Sequence, residues 1–212
     1  MLIVHHLNNS RSQRILWLLE ELGTPYEIKH YNRDSETNLA PPELKAVHPL
    51  GKSPVLEDDG QIIIESGAIT DYILRRHGGG KLMPAAGTAA HEAYLEWLHF
   101  AEGSAMTPFL LALYTARLGE AAAPLQPRIQ EQIGSHVAYL SGRLGSNDWL
   151  IDNTLSGADI MMSFIAEIAA AQGLGAHFPN VQAYAERIQA RPAWQAAAGK
   201  TEPYNFHLKP KA

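Results

Sequence analysis

The sequence predicts an α/β unit followed by an all-helical unit, and three observations support this fold class. Residues 1–79 alternate between a strand period of two and a helix period of 3.6. No alternating strand pattern appears after residue 65. Residues 78–88 are rich in glycine, proline and alanine and have no apolar periodicity, which is typical of a linker. We therefore expect one domain at 1–79 and a helical domain at 88–212.

The first elements of the α/β unit follow from apolar spacing. Leu2 to Leu7 is a short apolar run typical of a buried strand. The next apolar side chains have helical spacing, and Gly23 ends that helix; they are Ile15, Leu16, Leu18, Leu19 and Leu22. Residues 26–31 alternate as a half-buried strand, and residues 43–47 are expected to form a short helix.

A hairpin and a further helix complete the first unit. Residues 54–57 and 61–64 flank Asp58-Asp59-Gly60, whose glycine supplies the positive φ that a tight turn needs. Ser66 is expected to cap a helix that the glycines at 78–80 end. The predicted order is β-α-β-α-β-β-α.

The second half is helical in pattern throughout. A long helix is expected at 89–117, with a break or kink at Thr107-Pro108, because proline removes an amide donor and crowds the preceding turn. Further helices are expected at about 125–144, 156–172, 179–190 and 192–198. Ser156 and Asp159 have the spacing of a capping box at the start of the helix expected at 156–172.

Composition excludes several classes of function. The 212 residues are 46% hydrophobic and 18% charged, as in globular proteins, and the net charge of −5 argues against nucleic-acid binding. No apolar run approaches the length that spans a bilayer, so a cytoplasmic location is expected. The chain has no cysteine, which excludes a protein disulfide, a thiolate zinc site and a cysteine nucleophile.

Histidines are frequent, but their spacing does not predict a metal site. The ten histidines include no HExxH motif. Glu-x-x-His occurs at Glu27–His30, within an expected strand, and at Glu96–His99, whereas a di-iron bundle needs the motif on two helices. We expect no metal, and any sulfur chemistry must use the thiol of another molecule.

The first candidate site lies between the first strand and the first helix. Ser10 and Ser12 place two hydroxyls at a helix N-terminus, where amide N–H groups and the helix dipole favour an anion. The alternative is that one of them only caps the helix, and the two roles are compatible.

The second candidate site is Lys52-Ser53-Pro54, ahead of a strand. A trans bond is the ordinary expectation for proline; a cis bond at Pro54 would turn the backbone N–H and C=O of Ser53 outward, where an extended peptide could pair with them. Lys52 could bind a carboxylate or simply be a solvated surface lysine.

The third candidate site is Glu65-Ser66, at the end of the last strand. Glu65 could accept from an ammonium group, while the Ser66 hydroxyl and the helix amides behind it could bind a carboxylate. Together they match the head group of an amino acid. Because α/β packing brings such junctions to one sheet edge, the three candidate sites are expected to converge.

Several segments in order give the chain a close resemblance to the cytosolic glutathione transferases. They are NSRSQRILWLLEELG, HPLGKSPVLEDDG, IIIESGAITDYI, SGADI and ARPAW. The resemblance covers nearly the whole chain and implies a thioredoxin-like first domain, an all-helical second domain, a homodimer and glutathione as the co-substrate.

The resemblance also implies roles for individual residues. Ser10, four positions before Arg14, corresponds to the catalytic serine of serine-type members. Its neighbours Asn9 and Arg11 are expected to contact glutathione and could assist Ser10 or substitute for it. Further residues correspond to glutathione contacts: Lys52 to the glycine carboxylate, Ser53 before cis-Pro54 to the cysteinyl backbone, and Glu65 and Ser66 to the γ-glutamyl end. The family usually has valine where this chain has Ser53, a departure expected to cost little because backbone atoms make the contact.

The implied activity is nucleophilic attack by the glutathione thiolate on a small hydrophobic electrophile. The electrophile is expected to rest against the helix at 89–117, with His99, Thr107 and Tyr114 as candidate contacts. His99 is preferred because a neutral histidine both donates and accepts. A mixed helix face is also compatible with simple packing. Two alternatives stay open: a catalytically silent glutathione-binding or interaction protein, and a glutathione-dependent peroxidase.

Overall fold

The chain folds into two compact units. A computed structural model describes residues 1–202, Tyr204 and Phe206. The first unit is Met1–Ala85 with the described part of Gln189–Asn205, and the second is Ala86–Ile188 with Phe206.

The first unit is built on a four-stranded mixed sheet with strand order β2-β1-β3-β4. Its strands are β1 (Leu2–Leu7), β2 (Tyr26–Tyr31), β3 (Val55–Asp58) and β4 (Gln61–Ile64). Its helices are α1 (Gln13–Leu22), α2 (Pro42–Val47) and α3 (Ser66–His77). β1 runs parallel to β2 and antiparallel to β3, which pairs with β4 as a hairpin. The predicted order of elements is confirmed.

The register of the sheet fixes where the connecting loops meet. His5 of β1 pairs with Val55 of β3, and Val55 pairs with Ile64 of β4. The end of β1, the start of β3 and the end of β4 therefore lie at one edge of the sheet. At the opposite edge, Asp59 (φ 47°) and Gly60 (φ 84°) form the expected two-residue hairpin turn.

Helix α1 buries the apolar face that its spacing predicts and ends at Gly23, which adopts the left-handed conformation (φ 66°). The last described helix, α9 (Pro192–Ala198), packs on α1 within the first unit. Arg191, just before α9, forms a bidentate salt bridge with Glu21. The sequence pattern predicts 88–212 as a single helical domain. It does not indicate the packing of α9 on α1, because a contact between residues so far apart in the chain leaves no local signal.

The second unit is helical. Its helices are α4 (Ala89–Phe100), α5 (Met106–Thr115), α6 (Gln126–Leu144), α7 (Gly157–Ala171) and α8 (Pro179–Gln189). Short 3₁₀ segments lie between α5 and α6, at Ala116–Ala122, and between α7 and α8, at Leu174–Ala176. In the part of the chain that the structure describes, no helix is long and apolar enough to cross a bilayer.

The predicted helix 89–117 is interrupted, but earlier than expected. A π-helical segment occupies Ala101–Ala105, and α5 continues through Pro108. Pro108 has no N–H for the carbonyl four residues before it, so the disturbance falls on the preceding turn. The hydroxyl of Thr107 donates to the Gly103 carbonyl in that turn at 3.3 Å.

Helix α7 is almost entirely buried, and Asp159 organises its N-terminus. The Asp159 carboxylate accepts from the Ser156 amide at 2.8 Å, which with the Ser156 side chain completes the expected capping box. It also accepts from the Leu150 amide at 3.1 Å and from the Tyr184 hydroxyl at 2.8 Å. Burial raises the pKa of Asp159, and these hydrogen bonds oppose that effect.

Candidate active site

The three sequence-predicted junctions lie at the shared sheet edge. The loop containing Ser10 follows β1, Ser53-Pro54 precedes β3, and Glu65-Ser66 follows β4. A direct contact joins the first two, because the Ser10 hydroxyl donates to the Ser53 hydroxyl at 3.2 Å.

Ser10 lies in a buried polar environment at the start of α1. Its side chain is 6% exposed, and its Oγ lies 2.7 Å from the Oγ of Ser12. Ser12 occupies the N-cap position of α1, yet among the described residues its hydroxyl makes no capping bond and instead contacts Nδ1 of His6 at 2.7 Å. The alternative that Ser12 serves only as a cap is therefore wrong.

The Ser53–Pro54 bond is cis, so the ordinary expectation of a trans bond is wrong and the form that the resemblance implied is the one present. The Ser53 hydroxyl donates to the His5 carbonyl at 2.9 Å and accepts from the Leu7 amide at 3.2 Å. Its side chain thus ties β1 to the loop before β3, a role that valine cannot fill. Lys52 beside it is exposed.

Glu65 and Ser66 form the junction between β4 and α3. Ser66 is the first residue of α3 and is buried, whereas Glu65 is the N-cap residue, so the expectation that Ser66 caps the helix is corrected by one position. Glu65 is exposed and adopts φ 70°, a conformation rare for a residue with a side chain and often found at functional sites. Within the described residues, neither Glu65 nor Lys52 forms a salt bridge.

Arg33 shapes the loop before Ser10, and no sequence pattern pointed to it. Its Nε donates to the Asn8 carbonyl at 3.1 Å and its Nη2 to the Asn9 carbonyl at 3.3 Å, while its amide donates to Asn8 Oδ1 at 2.9 Å. Asn9 is exposed with φ 55°, a conformation that asparagine tolerates. Arg11 is partly buried.

His6 is a titratable group in direct contact with Ser12. Burial, and to a smaller extent the His30 ring 5.7 Å away edge-to-face, lower the pKa of His6 from 6.5 to about 4. The side chain is 4% exposed. At neutral pH His6 is therefore uncharged, with a proton on one ring nitrogen.

This depressed pKa predicts a loss of stability in mild acid. Between pH 6.5 and pH 4, His6 is protonated in the unfolded chain but stays neutral in the folded chain. The free energy of unfolding therefore falls as the pH falls towards 4. By pH 5 the loss should reach about 2 kcal/mol relative to pH 7.5. Denaturant unfolding at several pH values, compared with His6→Asn, isolates this contribution. If the free energy of unfolding depended on pH in the same way in both proteins, the lowered pKa of His6 would be contradicted.

The three second-substrate candidates lie in the second unit. His99 is in α4, and Thr107 and Tyr114 are in α5. All three are exposed, with Tyr114 at 59%. Among residues 1–202, Tyr204 and Phe206, no group of three or more histidine, aspartate or glutamate side chains is placed to hold a metal ion.

A mixed four-stranded sheet with this order and three helices is a thioredoxin-like domain, here followed by an all-helical domain. Both parts match family models. Residues 1–75 match the glutathione S-transferase N-terminal domain, and residues 91–192 match the glutathione S-transferase C-terminal domain.

Individual relatives agree with the family models. The chain is 34% identical to glutathione S-transferase 3 of Schizosaccharomyces pombe, covering 95% of this chain and 88% of the relative. It is 31% identical to glutathione S-transferase 1 of Saccharomyces cerevisiae, covering 93% and 94%. Among solved structures, a glutathione S-transferase from Actinobacillus pleuropneumoniae is 36% identical with a TM-score of 0.88, covering 100% of this chain and 97% of that one. The chain belongs to the glutathione S-transferase family and is an enzyme of the glutathione transferase class.

Proposed function

We propose that the Ser10 hydroxyl activates the thiol of bound glutathione by donating a hydrogen bond to its thiolate. The observation that carries this proposal is the buried Ser10 hydroxyl at the shared sheet edge, whose proton rests on Ser53 across a long 3.2 Å contact. A proton held so weakly can turn to a sulfur anion at little cost. A sphingomonad glutathione S-transferase complexed with glutathione, 26% identical with a TM-score of 0.78 and covering 93% of this chain and 98% of that one, supports glutathione as the thiol.

The charges at the sheet edge match the ends of glutathione. The exposed ammonium of Lys52 suits the glycine carboxylate. The Glu65 carboxylate suits the γ-glutamyl ammonium, and the Ser66 hydroxyl with the first amides of α3 suits the γ-glutamyl carboxylate. The backbone of Ser53, ahead of Pro54, pairs with the cysteinyl unit in this arrangement.

The required activation is within reach of these groups. A free cysteine thiol has a pKa near 8.5, and lowering it by about 2 units takes about 2.7 kcal/mol. A hydrogen bond to a charged group contributes about 1.5–3 kcal/mol, and the N-terminus of α1 about 0.3–1 kcal/mol. Together they suffice without a metal or a protein thiol.

The reaction that follows is nucleophilic transfer. The thiol proton leaves to solvent, a sulfur lone pair forms a C–S bond to an electrophilic carbon, and the leaving group departs with its electron pair, for example as chloride from an aryl chloride. We propose His99, Thr107 and Tyr114 as contacts of the small hydrophobic electrophile, with His99 able to donate to the leaving group. We also propose a homodimer located in the cytoplasm.

A substrate panel with a matched lysine variant tests this function. Calorimetry should show glutathione binding at millimolar concentration or below, and assays with aryl halides and epoxides should show thioether formation. Organic hydroperoxides, which would instead oxidise two glutathione molecules to the disulfide and give an alcohol and water, test the peroxidase alternative. Lys52→Ala should raise KM for glutathione about tenfold, as expected for one lost ion pair, whereas Lys81→Ala, at an exposed lysine of the same unit, should not.

Three outcomes would overturn parts of the proposal. Absence of glutathione binding at millimolar concentration would end it. Binding without turnover on any electrophile would favour the silent binding protein. Turnover confined to hydroperoxides would favour the peroxidase.

A further inference from the structure

A chain of four hydrogen bonds runs through the Ser10 hydroxyl. From one end, Nδ1 of His6 lies 2.7 Å from the Ser12 hydroxyl, which lies 2.7 Å from the Ser10 hydroxyl. From the other, Ser10 contacts the Ser53 hydroxyl at 3.2 Å, and Ser53 contacts the His5 carbonyl at 2.9 Å. The side chains of Ser12 and His6 are 0% and 4% exposed, so solvent does not compete for the bonds that join His6, Ser12 and Ser10.

The number of available protons fixes the direction of every bond in this chain. A carbonyl only accepts, so Ser53 donates to His5. The single proton of Ser53 is then in use, so Ser10 donates to Ser53. By the same count, Ser12 donates to Ser10, and the remaining bond needs a proton from Nδ1 of His6. His6 is neutral and has one ring proton, so that proton belongs on Nδ1.

We propose that His6, acting through Ser12, is a positioning residue that holds the Ser10 hydroxyl with its oxygen facing inward and its proton facing the glutathione sulfur. The proposal deepens the proposed function and rests on it. The Ser10 oxygen accepts from the Ser12 hydroxyl at 2.7 Å and from the Ser12 amide at 3.4 Å. Its own proton therefore has no role on the Ser12 side, and donation into the oxygen makes that proton a stronger donor.

Breaking the hydrogen bond from the Ser10 hydroxyl to Ser53 leaves the other bonds of Ser53 in place. Ser53 keeps its bond to the His5 carbonyl and still accepts from the Leu7 amide at 3.2 Å when Ser10 turns to a ligand. With the proton of His6 on Nε2 instead, Ser12 would donate to His6 and the 2.7 Å contact would draw the Ser10 proton inward. The tautomer of His6 therefore decides whether Ser10 can donate outward.

The tautomer can be measured without any turnover. Nitrogen-15 and carbon-13 NMR of the imidazole groups in the intact protein at pH 7, with the His6 signals assigned by their loss in His6→Asn, should show the proton on Nδ1. A proton on Nε2 would overturn the proposal.

Two pairs of variants test the effect on the reaction. Ser12→Ala should lower kcat at pH 7 about three- to tenfold, raise the pKa of the bound thiol and leave KM for glutathione within about twofold, because the anchoring groups are untouched. His6→Leu should act in the same way. His6→Asn, whose amide N–H reaches the position of Nδ1–H, should retain most of kcat. The control is Ser163→Ala, which removes a buried hydroxyl from α7 and should change neither quantity.

The outcomes separate this proposal from the function on which it rests. An unchanged bound-thiol pKa in Ser10→Ala would overturn the role of Ser10 and the proposal with it. A raised pKa in Ser10→Ala together with an unchanged one in folded Ser12→Ala would overturn the role of His6 and Ser12 alone. Equal losses in His6→Asn and His6→Leu would also overturn it, since the donor would then be irrelevant.

Discussion

Ser10→Ala is expected to lower kcat/KM for the conjugation of glutathione to an aryl halide roughly 100-fold at neutral pH. The substitution removes the side-chain donor proposed for the thiolate, and donors aimed at a reacting anion in a site shielded from water contribute on this scale. Glutathione itself should still bind, because Lys52, Glu65 and Ser66 are retained. Titration of the thiolate ultraviolet absorbance of the bound glutathione should show its pKa returning towards that of the free thiol.

The neighbouring residues provide the comparison for Ser10→Ala. Asn9→Gly keeps the left-handed backbone at φ 55° and removes only the side chain, so its kcat/KM should stay within about threefold of the parent. If Ser10→Ala left turnover and the bound-thiol pKa unchanged while Asn9→Gly or Arg11→Ala lowered turnover, one of those neighbours would be the activating residue instead.

Local signals explain why most of the fold could be predicted. The hairpin turn needs positive φ at two adjacent positions, and the Asp59-Gly60 pair is one that favours such a turn. The start of α7 is similarly written in the spacing of Ser156 and Asp159. The sequence predicts the break in the 89–117 helix at Thr107-Pro108, whereas the structure has it at Ala101–Ala105, because the effect of Pro108 appears in the turn before the proline, where the sequence has no marker of its own.

The candidate site could be predicted in outline, because its residues sit at the ends of strands. The interior of the site could not. The contact of Ser53 with His5 depends on how β1 and the loop before β3 approach each other, and the contact of Ser12 with His6 depends on how the loop after β1 folds back towards that strand. Arg33 is a similar case, since only the folded chain brings it to the Asn9 carbonyl. Ser12 and His6 lie on either side of Ser10, so two hydroxyls and a histidine within seven residues were the signal available.

The polar residues of the candidate site in the first unit are of two kinds. Lys52 and Glu65 are exposed, and the sequence predicts that their charges meet a ligand. Ser12 and His6 are buried, and a buried polar group must find a partner inside the protein. His6 contacts Ser12, and Ser12 contacts Ser10, so these two buried side chains belong to the surroundings of the Ser10 hydroxyl.

Asp159→Ala is expected to destabilise the protein by about 3–5 kcal/mol, the largest effect among the substitutions considered. Asp159 is 0% exposed, and its two carboxylate oxygens satisfy the amides of Leu150 and Ser156 and the hydroxyl of Tyr184. Alanine would leave these buried donors without an acceptor, at about 1–3 kcal/mol each before the structure relaxes, and would remove the cap of α7. Chemical denaturation at pH 7 measures the loss.

Asp159→Asn should be nearly as damaging, although it preserves the volume. One oxygen faces the Leu150 amide and Tyr184 hydroxyl and the other faces Ser156, so an amide NH₂ would point at donors on either side. The control is Asp71→Ala, which removes an exposed i,i+4 pair with Arg75 and should cost less than about 0.5 kcal/mol. A loss below about 1 kcal/mol in Asp159→Ala would mean that water replaces the carboxylate, and that this buried network contributes little to holding α7 in the second unit.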